Sequence, residues 1–154
     1  MKSPSELAAA FRAQGLKVTP QRQLLFTLLE GDSIHPTAEG IHARASARMP
    51  GISLRTVYTT LTDLVAMGEV QAVCLGSGAT RFEPNVEHHH HGVCDRCGAI
   101  VDLYVDGDET LGVTFDDRFV PHSASIVFHG ACADCDSGSH LQSPNTPIKE
   151  HHHG

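Results

Sequence analysis

Residues 53–84, SLRTVYTTLTDLVAMGEVQAVCLGSGATRFEP, read as one helix followed by one hairpin. Val57, Leu61, Leu64 and Val65 recur at helical spacing and predict a buried stripe, with Ser53 as the capping residue and Gly68 as the stop. EVQAVCL, GSGA and TRFEP then alternate strand, Gly-rich turn and strand. Three further helices are expected upstream. Ser5 to Gln14 carries Leu7, Ala8, Ala10 and Phe11 on one face and ends at Gly15. VTPQRQLLFTLLEG places Thr19 as N-cap and Pro20 at the first helical position, with Leu24, Leu25, Leu28 and Leu29 inward and Gly31 as the end. HPTAEGIHARASARM starts a helix near Thr37 with Ala38, Ile41 and Ala45 inward. Helices that lead into a two-stranded hairpin describe a winged helix-turn-helix.

Composition sets the frame for the remainder. The chain has 154 residues, 40% of them hydrophobic, which suits one ordinary domain or two small ones with a packed core. It has no apolar run of membrane-spanning length. The N-terminal MKSPSELAAAFRAQGL has a short apolar patch broken by Glu6 and Arg12, which reads as an amphipathic helix and not as a signal peptide. A cytosolic location is therefore expected, where Cys-x-x-Cys pairs read as metal ligands before disulfides. The net charge of −7 argues against a polyanion partner for the chain as a whole. Residues 1–83 nevertheless hold eight Lys/Arg against seven Asp/Glu, near +1, and residues 84–154 hold three against eleven, near −8. Only the first half is suited to approach nucleic acid, by focusing its few cations on one face.

Beyond Pro84 the pattern changes. AIVDLYV and ASIVFHGAC read as strands, GDETLGVTFDDRF as a short helix or a helix and turn, and the polar stretch from Ser137 as a disordered tail. The terminal HHHG carries no weight in this reading. Cys94-x-x-Cys97 and Cys132-x-x-Cys135 offer four thiolates, the number a structural zinc requires, and the strand–helix–strand unit between them is small enough to need a metal staple. Cys74, in the hairpin, is expected to be a small buried apolar residue. The run HHHHGVCDRCG, residues 88–98, adds imidazoles to these sulfurs. On an extended segment His89 and His91 point one way and His88 and His90 the other. Glu83 and Asp102 are carboxylates placed to join His89 and His91, and a mixed nitrogen and oxygen set suits iron(II), manganese, zinc or nickel. A flexible His-rich linker is the plain alternative.

The fourth helix carries Arg55, Thr56, Tyr58 and Thr59 on the face opposite its core stripe, as a helix that enters the major groove requires. Arg55 can reach a guanine edge or a phosphate, and Tyr58 can donate to phosphate or pack on a thymine methyl. Arg81 on the wing, with Lys17 and Arg22, are candidate phosphate contacts. The plain alternative for each is a solvated surface charge.

VTPQR, HPTAEGIH, SLRTVYTTL, RFE, HHHHGVCDRCGAIVD and CADC, in this order, resemble the ferric uptake regulator family across about residues 7 to 136. The resemblance implies a cytoplasmic, homodimeric, metal-dependent transcriptional repressor that binds a short palindromic DNA operator. It implies an α+β fold: a winged-helix domain over 1–83, a hinge over 84–91, a small α/β dimerisation domain with four-cysteine structural zinc over 92–136, and the tail 137–154. By motif, the family's regulatory site falls on His35, Glu83, His89, His91 and Asp102, with His35 supplied by the DNA-binding domain. An additional site found in some members maps to His88, His90 and Glu109; its usual last histidine is Ala124 here, with His122 or His129 as substitutes. The absence of a hinge cysteine in FEPNVEH points away from the zinc-responsive branch and toward the iron or peroxide branch, with Fe2+ or Mn2+ as the regulatory ion. Glu83 stands where the peroxide branch usually has Asp, so the resemblance implies iron sensing, with or without peroxide chemistry. A zinc- or nickel-responsive regulator is the runner-up, and a non-haem iron enzyme with an open two-histidine, one-carboxylate face is the reading from another class.

Overall fold

The computed structural model describes residues 1–75, 78–107, 118–120 and 124–137. Four helices open the chain: α1 (Pro4–Ala13), α2 (Pro20–Leu29), α3 (Ala38–Arg48) and α4 (Leu54–Ala66). Each is started by a side-chain oxygen that accepts an otherwise orphaned backbone N–H: Ser3 from Glu6, Thr19 from Arg22, Thr37 from Gly40 and Ser53 from Thr56. Ser3 and Glu6 complete a reciprocal capping box. Gly31 and Gly68 follow α2 and α4 with φ of 67° and 70°, the left-handed conformation that lets the chain turn away from a helix end.

The helices bury one shared core of Leu7, Phe11, Leu25, Phe26, Leu28, Leu29, Ile41, Ala45, Val57, Leu61 and Leu64, closed on the hairpin side by Val70 and Phe82. Phe11 and Phe26 meet edge to face at 4.9 Å between ring centroids. The expected inward faces hold with small changes. Phe26 is fully buried where Leu24 was expected, and Thr60 is buried on α4 where Val65 is only half-buried. Thr60 tolerates this position because its hydroxyl donates to the Thr56 carbonyl.

The hairpin is β1 (Gln71–Val73) antiparallel to β2 (Arg81–Glu83), with Ala72 opposite Phe82. Cys74, just beyond β1, is exposed, contrary to the expectation of a buried apolar residue. The hairpin lies at the rim of the core, and the Cys74 sulfur sits 3.3 Å from the Thr80 hydroxyl instead of against apolar neighbours.

The second sheet has three strands in the order β4 (Ile100–Leu103), β3 (His90–Cys94) and β5 (Val127–Gly130). β3 pairs antiparallel with β4 and parallel with β5, and a short helix α5 (Ala133–Asp136) follows. Gly92 sits at the centre of this sheet. A Cβ there would meet Val101 Cγ2 at 3.0 Å and Leu103 Cδ1 at 3.1 Å, so glycine lets β4 side chains fold over β3. The helix expected in GDETLGVTFDDRF, most of the tail, Glu109 and His122 lie outside the described residues.

Candidate metal centres

The sulfur group is built at one end of the three-stranded sheet. Cys94 closes β3, and a tight turn in which Gly98 donates to the Cys94 carbonyl brings Cys97 back beside it. Cys132 precedes α5 and Cys135 lies within it. The two knuckles are laced together: Asp95 N–H donates to the Gly130 carbonyl at 2.8 Å, and the Arg96 guanidinium donates to the Cys135 carbonyl at 2.6 Å. One sulfur from each cysteine lies within 4.8 Å of all the others. Cys97 and Cys132 sulfurs stand 3.7 Å apart, too far for a disulfide. A tetrahedron with zinc–sulfur bonds of about 2.3 Å has edges of about 3.8 Å, so this spacing is the one zinc requires. The N–H groups of Cys132 and Cys97 point at Cys94 sulfur and draw its thiol down to about 6, against the opposing effect of burial. Burial pushes the Cys135 thiol up, so without a cation the four sulfurs cannot all ionise together.

The second group stands between the helical unit and the sheet. His35 lies in the loop before α3, Glu83 ends the wing strand β2, His89 lies just ahead of β3, His91 is in β3 and Asp102 in β4. One donor atom from each falls within 4.8 Å of the rest. His91 and Asp102 are direct cross-strand partners in the β3–β4 register. The wing reaches the site because Phe82 N–H donates to the Pro36 carbonyl and the Arg81 guanidinium to the His35 carbonyl, which tie β2 to the His35 loop. His35 has φ of 49°, the one described non-glycine residue in the left-handed region, a strained backbone of the kind held at functional sites.

Distances within the group match the edges of a coordination shell. His89 Nε2 is 2.6 Å from Glu83 Oε1, His91 Nε2 is 3.1 Å from Glu83 Oε2, and His35 Nε2 is 2.9 Å from Asp102 Oδ1. Metal–ligand bonds of about 2.1 Å place adjacent donors about 3 Å apart. Despite this proximity, His35 Nε2, Glu83 Oε1 and Asp102 Oδ1 are buried with no hydrogen bond of acceptable geometry. His35 Nδ1 and His91 Nδ1 are likewise buried without a partner among the described residues. Two carboxylates are gathered here with three imidazoles, and among the described residues the ion-pairing partners of Glu83 are histidines alone. Negative charge collected in a buried place needs a cation, and a divalent ion balances it. His89 Nδ1 lies 2.7 Å from the Glu87 carbonyl, which fixes the N–H on that nitrogen and leaves Nε2 as a lone pair aimed at the group. The donor sets thus suit zinc on the sulfurs, and divalent iron, manganese, zinc or nickel on the mixed set.

The third expected set is only partly visible. His88 and His90 rings stand 5.2 Å apart, His90 buried and receiving the Ile126 N–H on Nδ1. Glu109 and His122 are outside the described residues, and His129 lies beside Asp95 at 3.2 Å, at the sulfur end of the sheet.

On the helical unit, Arg55 and Thr59 are exposed on α4, with Thr56 half-buried and its hydroxyl 2.9 Å from that of Ser53. Tyr58 donates its hydroxyl proton to Glu39 of α3 at 2.7 Å, which leaves its oxygen as an acceptor. Lys17 is exposed. Arg22 is engaged inside the fold: it pairs with Asp63 at 2.7 Å, donates to the Lys17 carbonyl and lies 5.1 Å over the Phe11 ring. Arg81 serves the His35 loop as described. Sequence reasoning passed over Arg96, Glu39 and Asn85, whose work is done through tertiary hydrogen bonds that leave no periodic signal.

A helical unit with a wing, joined to a small sheet through a histidine–carboxylate group, defines a two-domain metal-binding regulator. The family description "Ferric uptake regulator family" matches residues 13–112, and this chain belongs to that family. The peroxide-responsive repressor PerR of Staphylococcus epidermidis (strain ATCC 12228 / FDA PCI 1200) is 34% identical over 133 residues, covering 84% of this chain and 88% of that one. Among solved structures, the ferric uptake regulator Fur of Helicobacter pylori has a TM-score of 0.70 at 21% identity, over 86% of this chain and 90% of that one. A zinc-bound manganese uptake regulator has a TM-score of 0.66 at 26% identity, over 85% and 99%. No helix among the described residues is long and apolar enough to cross a membrane.

Proposed function

We propose that the chain is a cytoplasmic, homodimeric repressor whose binding to a short palindromic operator is switched by a divalent ion held on His35, Glu83, His89, His91 and Asp102. The observation that carries this reading is the origin of those donors. His35 and Glu83 belong to the winged-helix unit, and His89, His91 and Asp102 to the hinge and the sheet. An ion bound to all five fixes the angle between the units, and across a dimer it fixes the spacing of the two α4 helices. Binding free energy then shifts the population toward the DNA-competent arrangement. Zinc on Cys94, Cys97, Cys132 and Cys135 holds the sheet unit together independently of the switch. Arg55, Thr56, Tyr58 and Thr59 face the bases, with Lys17 toward phosphate, while Arg22 and Arg81 are engaged within the fold.

Fe2+ or Mn2+ is the proposed regulatory ion, since no thiolate enters the mixed site and such donors exchange. Peroxide sensing is the finer reading, supported by the Staphylococcus relative and set against it by glutamate at position 83. Iron bound there would supply one-electron chemistry toward hydrogen peroxide. His35 and His91, whose rings meet edge to face at 5.4 Å, are the side chains expected to be oxidised. Duplex binding measured with zinc-filled protein, one added ion at a time, tests the switch: binding that needs no second ion overturns it. Mass spectrometry after equal peroxide doses tests the finer reading. A one-oxygen gain on His35 or His91 with iron but not with manganese supports it, and unmodified histidines with DNA binding intact restrict the protein to metal sensing.

A further inference from the structure

Asp102 has two oxygens in different environments. Oδ1 faces the histidine–carboxylate group, 2.9 Å from His35 Nε2, and has no hydrogen bond. Oδ2 accepts the side-chain amide of Asn85 at 3.1 Å. Asn85 is itself held from several directions. Its side-chain oxygen accepts the Glu87 N–H at 3.2 Å, and because a backbone N–H only donates, this fixes which way the amide faces. The other end is then the NH2 group, which reaches both Asp102 and the Tyr104 hydroxyl, each at 3.1 Å. The Asn85 carbonyl accepts from Gln71 of the wing at 3.2 Å. One hinge residue thus connects the wing, the turn that leads to His89, and the β4 strand that carries Asp102.

Resting on the regulatory-site reading above, we propose that Asn85 is a positioning residue that restricts Asp102 to a single coordinating oxygen. By occupying Oδ2 it prevents the carboxylate from swinging to chelate an ion with both oxygens, so Asp102 contributes one donor atom, Oδ1. Asn85 thereby becomes a determinant of which ions the site prefers and how tightly it holds them. Outer hydrogen bonds of this type orient coordinating carboxylates, and their loss weakens metal binding about 10- to 100-fold.

Cobalt(II) is the probe, added to the full-length dimer with zinc already on the cysteines. Visible absorption reports the donors around cobalt, because its bands change in position and strength when one donor is added or replaced. The parent protein supplies the reference band. Asn85→Ala is expected to alter that band by releasing Asp102 to bind through both oxygens, and to weaken cobalt binding about 10-fold or more, with zinc content and dimer mass unchanged. Tyr104→Phe, which removes only the second acceptor of the same amide, is expected to keep the parent spectrum. Asn85→Ser, a shorter donor with the same turn chemistry, is expected to restore part of the band. An Asn85→Ala protein with the parent's band and cobalt affinity overturns the proposal, as does an equal loss in Tyr104→Phe. Failure of the underlying reading looks different: cobalt binding to the parent would then be untouched by His35→Ala and Glu83→Gln.

Discussion

The two metal-ligating groups differ most in where their donors originate. All four sulfurs come from the unit that follows the hinge: the end of β3, the turn after it, and α5 with the residue before it. The five nitrogen and oxygen donors come from the loop before α3, from β2, from the segment ahead of β3, from β3 and from β4. On the proposed function, an ion on the first group stabilises one unit, while an ion on the second fixes how two units are arranged. Chemistry reinforces the division. Thiolates hold zinc tightly, whereas imidazole and carboxylate release a divalent ion within the range a cell can vary. Permanence and responsiveness are thus assigned to different donor sets a few residues apart, and the run HHHHGVCDRCG is where they meet.

Breaking the sulfur group is expected to have the largest effect. Cys94→Ser or Cys135→Ser should remove zinc, whose binding supports small folds by about 10 kcal/mol or more. The sheet unit and dimer should be lost while the helical unit keeps its own core. Zinc analysis with far-UV circular dichroism and sedimentation checks this; a stable zinc-free dimer would sink it. The complementary break is Phe26→Ala, expected to cost the helical unit about 3–5 kcal/mol by opening a cavity beneath Phe11, with zinc retained. A denaturant melt that lost both units together would show that they are not separable as described.

A smaller pair of substitutions sharpens the division within the helical unit. Arg55→Ala should weaken duplex binding by about 1–3 kcal/mol with no change in melting temperature, and binding should fall with salt. Arg22→Ala should do the reverse, lowering the melting temperature through loss of the Asp63 pair, since its guanidinium is engaged within the fold. Equal effects on DNA would return Arg22 to the phosphate contacts. Thr19→Ala, which removes only the α2 cap, is expected to cost about 1 kcal/mol and leave both metal groups intact.

The same contrast explains how much could be read from the chain. The cysteine pairs were legible because each knuckle is local, with its spacing written in the sequence. His89 and His91 were legible from strand alternation, which puts alternate side chains on one face. His35 was reachable only through the family resemblance. It arrives from the loop before α3 through a left-handed backbone and the tie to Arg81, neither of which has a periodic signature. The caps Thr19 and Ser53 and the start near Thr37 were legible because such residues act within one turn, whereas the first helix starts at Pro4, capped by Ser3, ahead of the expected Ser5. The exposure of Cys74 and the internal work of Arg22 were missed because both depend on what packs nearby. The parallel pairing of β3 with β5 joins residues too distant in sequence for local pattern to reveal.

The most direct test of the division is His35→Ala, which removes the helical unit's imidazole from the second group and touches no sulfur. Duplex binding by fluorescence anisotropy should be followed against added Mn2+, with zinc content and dimer mass measured on the same samples. The expected result is a variant with parental zinc and parental dimer mass whose DNA binding no longer rises with Mn2+. A variant that binds the duplex at the same Mn2+ concentration as the parent would contradict the claim that the second group couples the two units.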